Sequence, residues 1–111
     1  KILVPIDASP QTEYTLEFLA SRTTLLGSNP TIELLNVQQP LPRLPPVGQE
    51  ALARYYEDEA EKVFEPARLV LKDAPVKERT AVGDPVECIM QAAQDIGADL
   101  IVMSSRGQGA I

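Results

Sequence analysis

The sequence contains no histidine. A Ser-His-Asp triad, a Cys-His pair and any histidine-ligated metal site are thereby excluded. Cysteine occurs once, at Cys88, so no internal disulfide can form. A lone thiol fits a reducing compartment, and the expected location is cytoplasmic. Positive charge is scarce: Lys and Arg total 10 against 16 Asp and Glu, for a net charge of -6. Such a chain repels a phosphate backbone on average, so nucleic acid is not an expected partner. No apolar run approaches the ~18 residues of a spanning helix, and no signal peptide precedes the strand-like opening at Lys1, so no membrane role is expected. The initial Met is also missing, as expected of a trimmed chain. Neither the dinucleotide fingerprint G-x-G-x-x-G nor the P-loop G-x-x-x-x-G-K-[ST] occurs.

What remains is one domain's worth of material, 111 residues of which 44% are hydrophobic. That is enough to bury a core without staples. KILVPID opens with an apolar run, and residues 1–6 read as a first strand; Pro5 is tolerated near a strand end. Ser9 as N-cap, Pro10 at the first helical position and Glu13 start a helix. Its apolar stripe is Leu16, Leu19, Ala20, Thr23 and Leu26, with Gly27 as the C-terminal cap. Residues 31–37 read as a second strand. Four prolines at 40–46 then force a connecting loop. A long helical pattern over 49–74 carries Leu52, Tyr56, Val63, Ala67 and Val70 near one face, and Pro66 should kink or split it. Its acidic run from Glu57 to Glu65 reads as a solvated face.

Residues 75–82 read as a third strand, polar enough for a sheet edge. Asp84 caps the next helix, with Pro85 first and Glu87 third, and Val86, Ile89, Ala93 and Ile96 toward the core. Gly97 closes it, and Cys88 reads as a semi-buried structural thiol. Residues 98–103 form a fourth strand, continuous and apolar, as expected when both faces are covered. The β-α-β-α-β-α-β order indicates an α/β domain with an open parallel sheet, a Rossmann-like three-layer sandwich.

Ligands of open α/β sheets bind beyond the carboxyl ends of the strands, where the strand order reverses. Asp7 follows the first strand, and either accepts hydrogen bonds from a ligand or forms an Asx turn. The fourth strand leads into MSSRGQGAI, whose glycines can turn N–H groups toward phosphates or simply turn the chain. Gly83-Asp84-Pro85 reads mainly as strand exit and helix cap.

Four segments, KILVPIDAS, LLNVQQP, VGDPVECI and GADLIVMSSRGQGAI, occur in this order. Together they resemble the universal stress protein family, in the α/β superfamily that binds adenine nucleotides. The resemblance spans residues 1–111 apart from the 40–60 region, and GADLIVM-x-S-R-G is its most specific part. It implies strand order 3-2-1-4, with a last helix and a fifth, dimer-building strand after Ile111, which this chain is expected to lack. It further implies a stress-response protein binding ATP or a related adenine nucleotide, with Mg. Asp7 matches the acid that contacts adenine and ribose, Pro5 and Ile6 the adjoining backbone, and Val37 the position whose backbone reads adenine. Met103 matches the residue leading into the phosphate loop, which continues through Ser104, Arg106, Gly107 and Gly109. The family's first loop glycine is Ser104 here, and its distal G-[ST] is expected beyond Ile111. A serine at this position is strained if it needs positive φ, and is a possible hydroxyl donor if it needs only close approach.

Three functions follow. The leading one is nucleotide binding with slow hydrolysis at most, since no general base is apparent beyond Asp7 and no catalytic or metal-binding cluster is spelled out. The alternative is a homodimeric regulatory protein that binds no nucleotide, which Ser104 favours. An adenylating enzyme is disfavoured, because IDASPQTE supplies neither a serine- and glycine-rich loop nor a histidine pair.

Overall fold

A computed structural model of the chain describes residues 1–22, 30–41, 48–72 and 74–104. The elements are β1 Ile2–Pro5, α1 Pro10–Ser21, β2 Ile32–Gln38, α2 Gln49–Val70, β3 Val76–Val82, α3 Pro85–Ile96 and β4 Leu100–Ile101. All strand pairs are parallel and the order is β3-β2-β1-β4. The α/β class, the open parallel sheet and the 3-2-1-4 order are therefore as the sequence implies.

Strand alternation explains why the central strands are apolar throughout. In β1 and just beyond it, Ile2, Val4 and Ile6 point to a cluster with Leu16, Leu19, Phe64 and Ala67 of α1 and α2. Leu3 points the other way, to Leu35, Ala92 and Ile96 on the α3 side. The result is three layers, with the sheet between α1 and α2 on one face and α3 on the other. Leu3, Val4, Leu16, Leu19, Ile32, Leu34 and Leu35 are essentially inaccessible to solvent. Each such side chain contributes about 1.5–3 kcal/mol through burial. The third strand lies at the sheet edge as expected, with Lys77 and Glu78 exposed and Arg79 half-buried there.

Several local expectations need correction. Helix α1 ends at Ser21 with Arg22 as its C-cap, and Ala20 faces solvent; Thr23, Leu26 and Gly27 lie outside the described residues. Pro66 does not divide α2, which runs unbroken from Gln49 to Val70. The ring and the Lys62 carbonyl that loses its donor both belong to exposed residues, while the neighbouring Phe64 and Ala67 are locked in the core. In α3 the buried positions are Ala92 and Ile96, whereas Val86 in the first turn is 68% exposed, beside the strand exit and not over the sheet.

The fourth strand is also not covered on both faces. It comprises two residues, and Leu100 and Ile101 are 45% and 39% exposed. Among the described residues it has a neighbour, β1, on one side only. The α3 boundaries hold as read: Asp84 accepts a hydrogen bond from the Glu87 N–H at 3.0 Å, and Gly97 takes the left-handed conformation.

Candidate functional site

The reversal of strand order falls between β1 and β4, so their carboxyl ends open side by side. Pro5 shapes this opening. Leu3 pairs with Ile101, and the Leu3 carbonyl accepts the Val102 N–H at 3.0 Å. The parallel ladder would next require the Pro5 N–H to reach the Val102 carbonyl. Proline has no N–H, and the ladder ends there. On the other side nothing is lost, because Ile2 and Ile6 carry the bonds to the second-strand side, and Ile6 donates to the Leu35 carbonyl at 2.8 Å.

Asp7 follows at once and is partly buried. Its Oδ1 accepts two hydrogen bonds, from the Ser9 N–H at 2.8 Å and from the Thr12 hydroxyl at 2.9 Å. Its own N–H donates to Thr12 Oγ1 at 3.0 Å. Among the described residues, none donates to Asp7 Oδ2. Burial raises the carboxyl pKa and is the largest influence, but hydrogen bonding by Ser9 and Thr12 together outweighs it. Asp7 therefore sits below its ordinary value and is ionised at neutral pH, an acceptor with one oxygen to spare. The Asx-turn reading of Asp7 is thus correct, and it leaves half of the carboxylate unused.

Ser9 occupies the N-cap position, yet its hydroxyl makes no cap. The Thr12 N–H bonds instead to the Ser9 carbonyl at 3.1 Å, and the buried Ser9 hydroxyl lies against the Asp7 carboxylate, whose pKa it helps to lower.

The second-strand side is held by contacts that sequence reading missed. Asn36 is 4% exposed, and its Nδ2 donates to the Ile6 carbonyl at 3.2 Å. Gln38 Nε2 donates to Asn36 Oδ1 at 3.2 Å and to the Tyr56 carbonyl at 2.8 Å. The Tyr56 hydroxyl accepts the Leu41 N–H at 3.0 Å. This chain of bonds fixes the residue before Asp7 and ties the end of β2 to α2. From sequence, Tyr56 stands only on one face of the long helical pattern and Thr12 lies inside the α1 start without a role of its own. A polar residue inside LLNV, and a hydroxyl at the third position of α1, were the available signals.

Val37 is half-buried on the α3 side, and the β1–β2 register, continued by two residues, sets it opposite Asp7. The Gly83 N–H reaches the Gln38 carbonyl at 2.9 Å, bringing the α3 entrance to the same edge. Gly83 has φ +148°, and a Cβ there would meet Cys88 Sγ at 3.3 Å. Met103 is exposed and Ser104 half-buried, immediately after β4. Among the described residues no non-glycine has positive φ, so Ser104 carries no left-handed strain. Arg106, Gly107 and Gly109 lie outside the described residues. Pro5, Ile6, Asp7, Val37, Met103 and Ser104 thus all sit at one edge of the sheet. The described residues contain no cluster of three or more metal-ligating side chains, and no helix among them is long and apolar enough to cross a membrane.

This fold, with an acid after β1 at the switch point, accompanies a sequence match to the universal stress protein family over residues 1–111. The chain belongs to the universal stress protein family. No curated protein matches the sequence. Among solved structures it is similar to the hypothetical protein MJ0577, whose biochemical function was assigned from structure, at 27% identity and TM-score 0.76, covering 100% of this chain and 78% of that one. It is also similar to a universal stress protein family member from Burkholderia pseudomallei, at 22% identity and TM-score 0.72, covering 94% and 80%. A universal stress protein in complex with cAMP shares 19% identity at TM-score 0.62, covering 99% and 79%. At the two lower identities the likeness speaks for the fold. In this universal stress protein, Asp7 Oδ2 accepts from none of the described residues and the β1–β4 pairing ends at Leu3 and Ile101, on the carboxyl edge of the sheet.

Proposed function

We propose that this universal stress protein binds ATP or a related adenine nucleotide at the carboxyl ends of β1 and β4, in the cytoplasm. The observation that carries the reading is Asp7, an ionised carboxylate whose Oδ1 is taken by its own turn and whose Oδ2 accepts from none of the described residues. A carboxylate is an acceptor only, so it selects a donor: a ribose hydroxyl or the exocyclic amine of adenine. Val37, opposite it, offers backbone and an apolar side chain to the base. Ser104 can donate to ribose or phosphate without backbone strain. Arg106, Gly107 and Gly109 are the phosphate contacts implied by the family, and Mg would arrive with the phosphates, as it commonly does. The family member seen with cAMP supports an adenine nucleotide as the ligand class.

A nucleotide bound here supplies binding energy and charge and no covalent chemistry. This chain's part is to accept from the ligand at Asp7, pack beside the base at Val37 and order the segment after Ser104. Hydrolysis is not a principal activity on this reading, because Asp7 is the one general base proposed at the site and its spare oxygen is given to ligand recognition.

Titration with a fluorescent ATP analogue, competed by unlabelled ATP, tests the proposal. Saturable, competable binding is expected, and Asp7→Ala should weaken it roughly ten- to hundredfold, as for loss of a charge-assisted hydrogen bond. Absence of saturation at millimolar ATP would overturn it. A second reading is a homodimeric regulatory protein without nucleotide, favoured by Ser104 in place of the family's glycine. Oligomeric state in the same samples separates the two, since that reading requires a dimer indifferent to ATP.

A further inference from the structure

Thr12 makes two contacts with one residue. Its Oγ1 accepts the Asp7 N–H at 3.0 Å and its hydroxyl hydrogen goes to Asp7 Oδ1 at 2.9 Å. A hydroxyl has one proton and two lone pairs, so this reciprocal pair uses its donor and one acceptor. Thr12 is itself fixed by its N–H on the Ser9 carbonyl at 3.1 Å and by its place in the first turn of α1. Two donors then converge on Oδ1, from Ser9 and Thr12, which sets the carboxylate plane and assigns the two oxygens different tasks.

The geometry points to Thr12 as a positioning residue that holds Asp7 in one orientation, so that Asp7 presents Oδ2 to a donor of the ligand. This rests on the nucleotide reading above and adds to it how the recognition group is aimed. Without the Thr12 hydroxyl, Asp7 keeps the Ser9 N–H but loses the second anchor, and its side chain turns about a single bond. The ligand then meets a carboxylate that must be ordered at the moment of binding, an entropic loss that preorganisation avoids. Asp7 is also less stabilised as the anion, because one of the hydrogen bonds lowering its pKa is removed.

The test uses Thr12→Val, which keeps the shape and deletes the hydroxyl, and Thr12→Ser, which restores it. Two quantities are read: the Asp7 carboxyl titration midpoint by carbon-detected NMR, and ATP affinity in the wild-type and Asp7→Ala backgrounds. Thr12→Val should raise the midpoint, weaken ATP about tenfold, and have no further effect once Asp7 is Ala. Thr12→Ser should recover both values. An unmoved midpoint, or an equal loss of affinity in the Asp7→Ala background, would overturn the positioning role. If the wild-type chain binds no ATP, the nucleotide reading fails, and the midpoint alone decides whether Thr12 orients Asp7. Should Thr12→Val not fold, Thr12→Ala with the same Thr12→Ser rescue serves.

Discussion

Replacing Asn36 by alanine should be among the most damaging single changes near the site. The side chain is buried and bonded at both ends, to the Ile6 carbonyl and to Gln38 Nε2. Alanine leaves the Ile6 carbonyl without that donor, at about 1–3 kcal/mol for a buried unpaired group. Gln38 loses one acceptor but keeps the Tyr56 carbonyl, a smaller loss of roughly 0.5 kcal/mol. The void left in the core adds on the order of 1 kcal/mol. The sum is about 2.5–4.5 kcal/mol, a downward shift in Tm of roughly 10–18 °C for a domain this size. Urea unfolding followed by circular dichroism should show the lower midpoint at an unchanged m-value. Asn36→Asp should be no remedy, since it replaces the donor to Ile6 with an acceptor. A loss below about 0.5 kcal/mol for Asn36→Ala would mean that water or neighbouring backbone satisfies Ile6 equally well, and that the Asn36–Gln38–Tyr56 chain does not fix the approach to Asp7.

Pro66→Ala should stabilise the protein, because an exposed interior proline costs about 3 kcal/mol of helix stability and alanine restores the bond to the Lys62 carbonyl. Part of that gain is offset in the unfolded chain, so a rise of about 1–2 kcal/mol by thermal melting is expected; no rise would mean the α2 backbone already bends away from that bond. Gly83→Ala should destabilise by about 1–3 kcal/mol, since φ +148° strains any L side chain whatever the space, and Gly83→Ala with Cys88→Ala should relieve only the 3.3 Å contact. Full relief by the second change would assign the whole cost to sulfur crowding. Asp7 has a depressed pKa in the folded state, so its contribution is present above the unfolded value near 3.8 and is lost as pH falls through the lower folded value. Asp7→Asn should therefore flatten the stability–pH curve in that acid window and leave its shape above pH 5 unchanged (about one unit clear of the transition).

Much of the frame was legible because it is written in periodicity. The apolar runs in β1 and β2 read as strands, and Asp84-Pro85 reads as a helix start. Alternation indicates the parallel sheet, while the strand order that sets the switch point beside Asp7 is implied by the resemblance to the universal stress protein family. What was not legible depends on neighbours distant in sequence. Asn36 looks like a blemish in an apolar strand until Ile6, thirty residues earlier, is found beneath its amide. Ser9 has the composition of a cap but not its hydrogen bond, because the Thr12 N–H turns to the Ser9 carbonyl and Thr12 Oγ1 to Asp7. Pro66 shows the limit of a residue-level rule: the local penalty is real, yet Phe64 and Ala67 anchor the turns around it. Leu100 and Ile101 match a covered strand in composition, and their exposure follows from β4 having one neighbouring strand among the described residues, which composition does not encode.

The location of ligand binding is open to one direct measurement. In an amide-resolved NMR titration with ATP, Asp7 to Ser9, Val37 to Gln38, Gly83 and Met103 to Ser104 should shift together and saturate. The groove at the opposite, amino-terminal edge of the sheet, lined by Thr31, Lys77, Arg79 and Ile96, should remain silent. Shifts confined to that groove, or none at millimolar ATP, would contradict nucleotide binding at the carboxyl ends of β1 and β4.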